Sequence, residues 1–229
     1  PLVQSRTIVT PGGLTSTLTI ARTVTLSTPT DPLSLLTMTT TSTRNGHVFT
    51  SAYDATTRTL TESSPAGRVS TSVADAQGRI VLQQYNGLTP IRYTYDGRGR
   101  LTQVTGGTRT TTYDYDAQDR LVQVTDPANR TVQFAYDTAN RVIGSTLPGN
   151  QDIAYTYDAT GNLTSITPPG RQPHLFSYTP ANLLSDYIAP DAGAGAADTH
   201  YSYDLDGQLI TVTRPGGVTE QLAYDPTTG

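Results

Sequence analysis

A Tyr-Asp pair that returns about every 21 residues constrains this chain more than any other feature. The pair stands at Tyr53-Asp54, Tyr95-Asp96, Tyr115-Asp116, Tyr136-Asp137, Tyr157-Asp158, Tyr203-Asp204 and Tyr224-Asp225, with degenerate copies at Ala74-Asp75 and Tyr178-Thr179. Successive intervals are 21, 21, 20, 21, 21, 21, 25 and 21 residues. A period of this length is one supersecondary unit, which cannot bury an apolar face alone and must stack on its neighbours. The one long interval holds the small-residue run from Asp191 to Asp198, which reads as a loop insertion in an unchanged architecture.

Each unit reads as a hairpin. Aromatics sit two apart ahead of the Asp: Tyr93 and Tyr95, Tyr113 and Tyr115, Phe134 and Tyr136, Tyr155 and Tyr157, Phe176 and Tyr178, Tyr201 and Tyr203. Side chains alternate faces along a strand, so both members of a pair point the same way and stacked units form an aromatic stripe. Three residues after the Asp stand Gly78, Gly99, Asp119, Asn140, Gly161, Asn182 and Gly207, with Thr57 as the misfit. Gly, Asn and Asp tolerate the left-handed region, which predicts a type I turn ending in a left-handed bulge residue. The leading carboxylates, Asp54, Asp75, Asp96, Asp116, Asp137, Asp158, Asp204 and Asp225, are then expected to accept local backbone N–H groups.

The return strand opens on Arg79-Ile80, Arg100-Leu101, Arg120-Leu121, Arg141-Val142, Asn162-Leu163 or Gln208-Leu209. A second apolar residue follows three positions later, as at Val104, Val124, Ile166 and Val212. That odd offset places the two on opposite faces of a regular strand, unless a bulge intervenes. A second turn closes the unit, visible as Gly106-Gly107, Asp126-Pro127, Pro148-Gly149, Pro168-Pro169-Gly170 and Pro215-Gly216-Gly217.

Composition agrees with an all-β class. Thr is abundant, and 14 Tyr, 20 Gly and 15 Pro favour strands joined by tight turns. Only 35% of residues are apolar, and counting glycine in place of tyrosine leaves the share below the roughly 45–50% of ordinary domains. A thick core is therefore not expected. The first 52 residues keep the style without the signature: Leu14, Leu18, Ile20, Val24 and Leu26 hold one parity and Thr the other. They read as diverged repeats (1–52) ahead of the repeat array (53–229), which carries the insertion near 190–198. Two strands per period imply about twenty strands, on the order of 100 Å of unrolled sheet. Open twisted sheets rarely exceed about ten strands without curling, so the expectation is a curled strip, part of a hollow shell or β-solenoid.

Several function classes are disfavoured. Net charge is −4, the fifteen cations are all Arg, and no basic block exists, so nucleic acid is not expected as a partner. The absence of Cys removes disulfides and thiolate chemistry. No run approaches the 18 or so apolar residues of a spanning helix, and membrane insertion is not expected. The chain opens on Pro-Leu-Val-Gln without a signal-peptide pattern, as expected of a piece of a longer polypeptide.

The units resemble the YD repeats of the Rhs (rearrangement hot spot) family, as in Tyr-Thr-Tyr-Asp-Gly-Arg-Gly-Arg-Leu at 93–101 and Tyr-Asp-Tyr-Asp-Ala-Gln-Asp-Arg-Leu at 113–121. The resemblance covers 53–229 well and 1–52 loosely. It implies a long antiparallel strip spiralling into a shell. In bacterial Rhs toxins and the related insecticidal toxin complexes such shells enclose a C-terminal toxin domain, and teneurins and wall-associated bacterial proteins use similar repeats at cell surfaces. No Asp-Pro-x-Gly-Leu-like segment of the kind that closes the family's shell is found, so self-cleavage and toxicity carry over to no residue.

Catalytic and metal chemistry find no constellation. An acid that recurs at every turn in one register is a turn former, whereas an active site breaks a repeat. His47, His174 and His200 lack metal or triad spacing. Asp204-Leu205-Asp206-Gly207 resembles the start of a calcium loop without its later ligands, and Asn162-Leu163-Thr164 matches a glycosylation sequon in a Thr-rich chain. The stripe of Tyr53, Tyr95, Tyr115, Tyr136, Tyr157, Tyr178, Tyr203 and Tyr224 reads first as cross-strand packing and second as a platform for sugars.

The expected function is non-catalytic. The chain reads as a wall segment of an encapsulating shell, secreted or on a bacterial surface, partnered by the rest of that shell and an enclosed toxin or other cargo. The alternative is a surface fibre or adhesin that binds glycans or self-associates through open strand edges. No cofactor is implied.

Overall fold

The structure, a computed structural model, describes residues 2–190 and 198–224. Asp225 and residues 191–197 of the insertion lie outside them. The described residues form twenty β-strands and one 3-10 turn at Pro215–Gly217, with no α-helix. This matches the all-β class and the strand count implied by two strands per period.

The chain divides into two compact units, 1–112 and 113–229. The first holds β1 (Leu2–Val9), β2 (Thr15–Leu26), β3 (Leu35–Arg44), β4 (His47–Asp54), β5 (Thr59–Ser63), β6 (Val69–Ala74), β7 (Ile80–Tyr85), β8 (Ile91–Tyr95), β9 (Leu101–Gly106) and the start of β10 (Arg109–Tyr115). Each strand pairs antiparallel with the next, from β1–β2 through to β9 with Arg109–Thr112. The second holds the end of β10, then β11 (Leu121–Thr125), β12 (Thr131–Tyr136), β13 (Val142–Leu147), β14 (Gln151–Tyr157), β15 (Leu163–Thr167), β16 (His174–Tyr178), β17 (Leu184–Ile188), β18 (Asp198–Tyr203), β19 (Leu209–Arg214) and β20 (Val218–Gln221). From β11 to β20 the same consecutive antiparallel pairing continues.

The Tyr-Asp hairpins share one geometry. In the Asp75 turn the Gly78 N–H donates to the Asp75 carbonyl at 3.1 Å and the Asp75 N–H to the Arg79 carbonyl at 2.9 Å. The residue three after the Asp has a positive φ at seven copies, from 60° at Asn182 to 96° at Gly161. The ladder then slips by one residue: Tyr95 pairs with Leu101 but Thr94 pairs with Gln103, leaving Thr102 as the extra residue of a bulge. Ile143, Thr164, Ser185 and Ile210 take the same place in later copies. The bulge accounts for the odd apolar offset. Tyr93 lies opposite Val104 and Tyr95 opposite Leu101, so all four share one face; Tyr155, Ile166, Tyr157 and Leu163 repeat the arrangement.

The first copy explains its own misfit. Asp54 pairs directly with Thr59 across a four-residue loop without a register slip, and the left-handed residue is Arg58, at φ 53°. Thr57 donates its N–H to Asp54 Oδ1 at 3.1 Å and needs no left-handed backbone. Earlier still, Asn45 and Gly46 are both left-handed and close a two-residue hairpin between Arg44 and His47. The alternating Thr and aliphatic residues of β2 run beside β3 from Leu18 opposite Arg44 to Leu26 opposite Leu35.

No apolar side chain is buried among the described residues, and only Ser145 and Ser165 fall to 8% exposure. In β8 Tyr93 and Tyr95 are half-buried while Arg92 and Thr94 are exposed, whereas the return strands β9 and β11 are half-buried along their whole length. Stability therefore rests on ladder pairing, half-covered side chains and the turns. Gly161→Val forces a β-branched side chain into a left-handed φ and is expected to cost about 1–2 kcal/mol. Asn129→Gly, at another left-handed residue (φ 59°), should stay within a few tenths of a kcal/mol, both read from urea unfolding.

Candidate functional site

The recurrent polar chemistry of this chain is a clamp between successive hairpins. Asp137 Oδ1 accepts the N–H groups of Ala139 and Arg141, both at 2.9 Å, and Oδ2 accepts Arg141 Nε at 2.7 Å. The carboxylate thus shapes its turn and aims the guanidinium. That guanidinium sits 4.7 Å over the ring of Tyr157 in the next repeat, and its Nη1 donates to the Asp158 carbonyl at 3.2 Å. Tyr157 reaches back, donating its hydroxyl to the Val142 carbonyl at 2.9 Å. Asp137, Arg141, Tyr157 and Val142 therefore close a loop of contacts across the repeat boundary.

The same loop recurs in both units. In the first, Asp75 holds Arg79, Arg79 lies 4.6 Å over Tyr95, and Tyr95 donates to the Ile80 carbonyl at 2.9 Å. In the second, Asp116 holds Arg120, which lies 4.7 Å over Tyr136 and donates to Asp137 O and Asn140 Oδ1, both at 3.1 Å. Tyr136 donates to the Leu121 carbonyl at 2.7 Å. Tyr178, Tyr203 and Tyr224 make the equivalent bond to Leu163, Leu184 and Leu209, at 2.9, 2.9 and 3.0 Å. Tyr203 reaches 19 residues back where the others reach 15, so the inserted residues leave the contact intact.

Where the arginine is missing, a shorter polar side chain serves the same turn. Asn162 Nδ2 donates to Asp158 Oδ2 at 3.0 Å and to Asn182 Oδ1 of the following turn at 2.9 Å. At the degenerate copy Thr179 Oγ1 accepts the Ala181 and Leu183 N–H groups at 3.3 and 3.2 Å. The arginines four residues after each Asp read in sequence only as strand starts. Their recurrence as Asp-x-x-x-Arg is the signal that points to the clamp. Asp126 and Arg130, in a turn at the other end of the strands, form the same carboxylate–arginine unit, with Asn129 left-handed at φ 59°.

These contacts depress the turn carboxyls. At Asp96 and Asp137 the N–H of the following arginine has the largest influence and lowers the pKa against partial desolvation. At Asp75 and Asp116 desolvation is the largest single influence and pushes upward, but the combined arginine and backbone donors outweigh it. Asp158 is lowered to about 2, first by the Thr160 hydroxyl at 2.7 Å and then, against desolvation, by Asn162. Burial, helped by the Asp158 carboxylate, raises the Tyr178 phenol.

The remaining candidate residues are placed as follows. His174 Nδ1 lies 2.7 Å from the Tyr187 hydroxyl, with the rings stacked and Phe176 on Tyr187 as well. His200 Nδ1 pairs with Asp186 Oδ1, while Ser185 donates to Asp186 Oδ2 at 2.7 Å. The carboxylate stands between hydroxyl and imidazole, so this trio does not couple an imidazole base to a serine nucleophile. His47 opens β4 at an exposed position. Asp204 Oδ1 accepts the Asp206 and Gln208 N–H groups in an ordinary turn, and the sequon amide of Asn162 is taken up by its neighbours. Among the described residues no three His, Asp or Glu side chains gather as a metal site, and no helix is long and apolar enough to cross a membrane.

A strip of Tyr-Asp hairpins locked repeat to repeat defines a YD-repeat shell segment. The teneurin YD-shell family model matches residues 1–192, and the chain belongs to that family. A search of curated protein sequences returns no match. Among solved structures, the TcdB2–TccC3 complex without its hypervariable C-terminal region is similar at TM-score 0.59 and 16% identity, over 97% of this chain and 16% of that one. The TcdB2–TccC3–Cdc42 complex gives 0.54 and 12%, over 99% and 18%. The Photorhabdus luminescens Tc holotoxin pore with a TccC3 mutation gives 0.51 and 16%, over 95% and 15%. The chain thus spans less than a fifth of each, and at these identities the likeness shows the fold.

Because the folded-state pKa values of Asp75, Asp96, Asp116, Asp137 and Asp158 lie below their ordinary 3.8, the stability they confer is present above that range and lost as pH falls through the folded values. The urea midpoint should be flat near neutral pH and drop between about pH 4 and pH 2, and Asp158→Asn should remove part of that drop. An unchanged midpoint across the interval would contradict the clamp's electrostatics.

Proposed function

We propose that this chain is a non-catalytic wall segment of a coiled YD-repeat shell that sequesters a polypeptide cargo, most simply a toxin domain, in a secreted or cell-surface bacterial protein. The observation that carries the reading is the clamp. The same hydroxyl-to-carbonyl bond joins consecutive repeats in both units, with no fully buried apolar residue among the described residues. Such a wall is extended by adding repeats rather than by enlarging a core, which suits enclosure of a volume. The Tc complexes that share the fold support a shell, and their much greater length supports further wall beyond one segment. The aromatic stripe and turn carboxylates are read as wall joints, and catalysis has no part in the proposal.

The test is cryo-electron microscopy of the natural polypeptide that carries this segment. Enclosed density inside a coiled wall, and protection of that density from protease, is the expected result. A solid rod, or a wall with an empty and freely digested interior, would overturn the proposal.

A further inference from the structure

Asn-Gly occurs twice in this sequence, at Asn45-Gly46 and Asn86-Gly87, and the fold holds the two pairs differently. An asparagine side chain is an internal electrophile: the amide nitrogen of the next residue can attack its carbonyl carbon. Glycine, with no Cβ, opposes that approach least. The ring closes only after the asparagine rotates about ψ and χ1 until Cγ lies against that nitrogen. In a folded chain the rate is therefore set by the contacts that must open first.

Asn45 is tied to a neighbouring strand at two points. Its N–H donates to the Thr17 carbonyl at 2.9 Å, and its Oδ1 accepts the Thr17 N–H at 2.7 Å. The strands that flank its turn pair without a break from Arg44 opposite His47 to Thr37 opposite Asp54. On the other side of β3, β2 is paired from Leu18 to Leu26. Rotation of Asn45 has to break both bonds to Thr17 inside a long ladder.

Asn86 opens the loop 86–90 between β7 and β8, whose register comprises Leu82 opposite Arg92 and Gln83 opposite Ile91. The Asn86 N–H donates to the Val69 carbonyl at 2.8 Å. The Leu88 N–H donates to the Tyr85 carbonyl at 2.9 Å and closes the turn, with Gly87 left-handed at φ 75°. The Asn86 side chain and the Gly87 N–H make no hydrogen bond among the described residues, and both residues are exposed. Electrophile and nucleophile thus stand side by side with neither engaged, in a loop anchored by a short ladder.

We infer that Asn86-Gly87 is a deamidation site of the folded protein, and that the bonds to Thr17 protect Asn45-Gly46. Hydroxide takes the Gly87 amide proton, and the nitrogen forms a bond to Asn86 Cγ. The Cγ–Nδ2 bond then breaks, and ammonia leaves with a proton from water. Water opens the resulting succinimide at either carbonyl. Attack at Cγ gives aspartate, and attack at the main-chain carbon gives isoaspartate. Either product adds a negative charge, and isoaspartate also lengthens the loop backbone by one carbon. Both changes lie outside the contacts that join β7 and β8 to the repeat: the Tyr93 hydroxyl to Gln83 Oε1 at 2.7 Å and the Tyr95 hydroxyl to the Ile80 carbonyl at 2.9 Å.

The test is incubation of the 229-residue chain at physiological temperature in mildly alkaline buffer, followed by acid digestion and mass spectrometry. Enzymatic methylation of isoaspartate supplies a second readout. In the folded chain, conversion at position 86 should outpace conversion at position 45 by at least about tenfold, because Asn45 must give up an additional hydrogen bond within a longer ladder. In urea the two rates should come within about threefold of each other, since the constraint is gone. Gly87→Ala, which places a Cβ beside the attacking nitrogen, should slow conversion at position 86 and leave position 45 unchanged. No conversion at position 86 in the folded chain, equal rates at the two positions, or a tenfold gap that persists in urea would overturn the inference.

Discussion

A carboxylate at the head of each turn is the constraint on which the rest of the structure depends. At Asp75, Asp96, Asp116 and Asp137 one oxygen accepts backbone N–H groups, which fixes the turn, and the other accepts an arginine, which fixes the direction of a cation. Asp137 shows the economy of this: three bonds of 2.7–2.9 Å define the hairpin and aim Arg141 at Tyr157 of the next repeat. A charge-assisted pair fixed by its own turn loses less side-chain entropy than a free surface pair, which is why it can matter where isolated surface ion pairs contribute little. With no buried apolar side chain among the described residues, a hairpin strip needs such directional contacts to hold its neighbours in one register.

The bulge follows from the same turn. A left-handed residue three after the Asp delivers the return strand one residue out of step, and the slip at Thr102 or Thr164 puts Leu101 with Val104, and Leu163 with Ile166, on the tyrosine side. Tyr95, Tyr136, Tyr157, Tyr178, Tyr203 and Tyr224 each donate a hydroxyl to the carbonyl of the first residue of the preceding return strand. The fit is repeated from Tyr95 to Tyr224. Deviations are local: the four-residue loop after Asp54 in the first copy, Asn162 and Gln208 in place of the arginine, and the Thr179 and Leu183 substitutions where neither carboxylate nor cation remains.

Much of this was legible in the residues. The period, the strand count, the left-handed positions and the absence of a thick core all follow from Tyr-Asp spacing, Gly and Asn placement, and low apolar content. The apolar offset from Leu101 to Val104 could be stated only as a choice between two-faced strands and a bulge, because periodicity records separation along the chain and not the ladder slip. The clamp itself lay deeper. Arg79, Arg120 and Arg141 were visible as strand openers, yet their partners stand in the following repeat, a relation that no local pattern encodes.

A double-mutant cycle tests the central claim that successive repeats are joined through the arginine and tyrosine. Arg141→Met and Tyr157→Leu, alone and together, are compared by urea unfolding, with Arg141→Met and Tyr203→Leu as the distant control pair. The account predicts a coupling of about 0.5–1 kcal/mol for the neighbouring pair and additivity within about 0.3–0.5 kcal/mol for the distant one. Full additivity of Arg141→Met with Tyr157→Leu would show that the repeats are merely adjacent and not clamped.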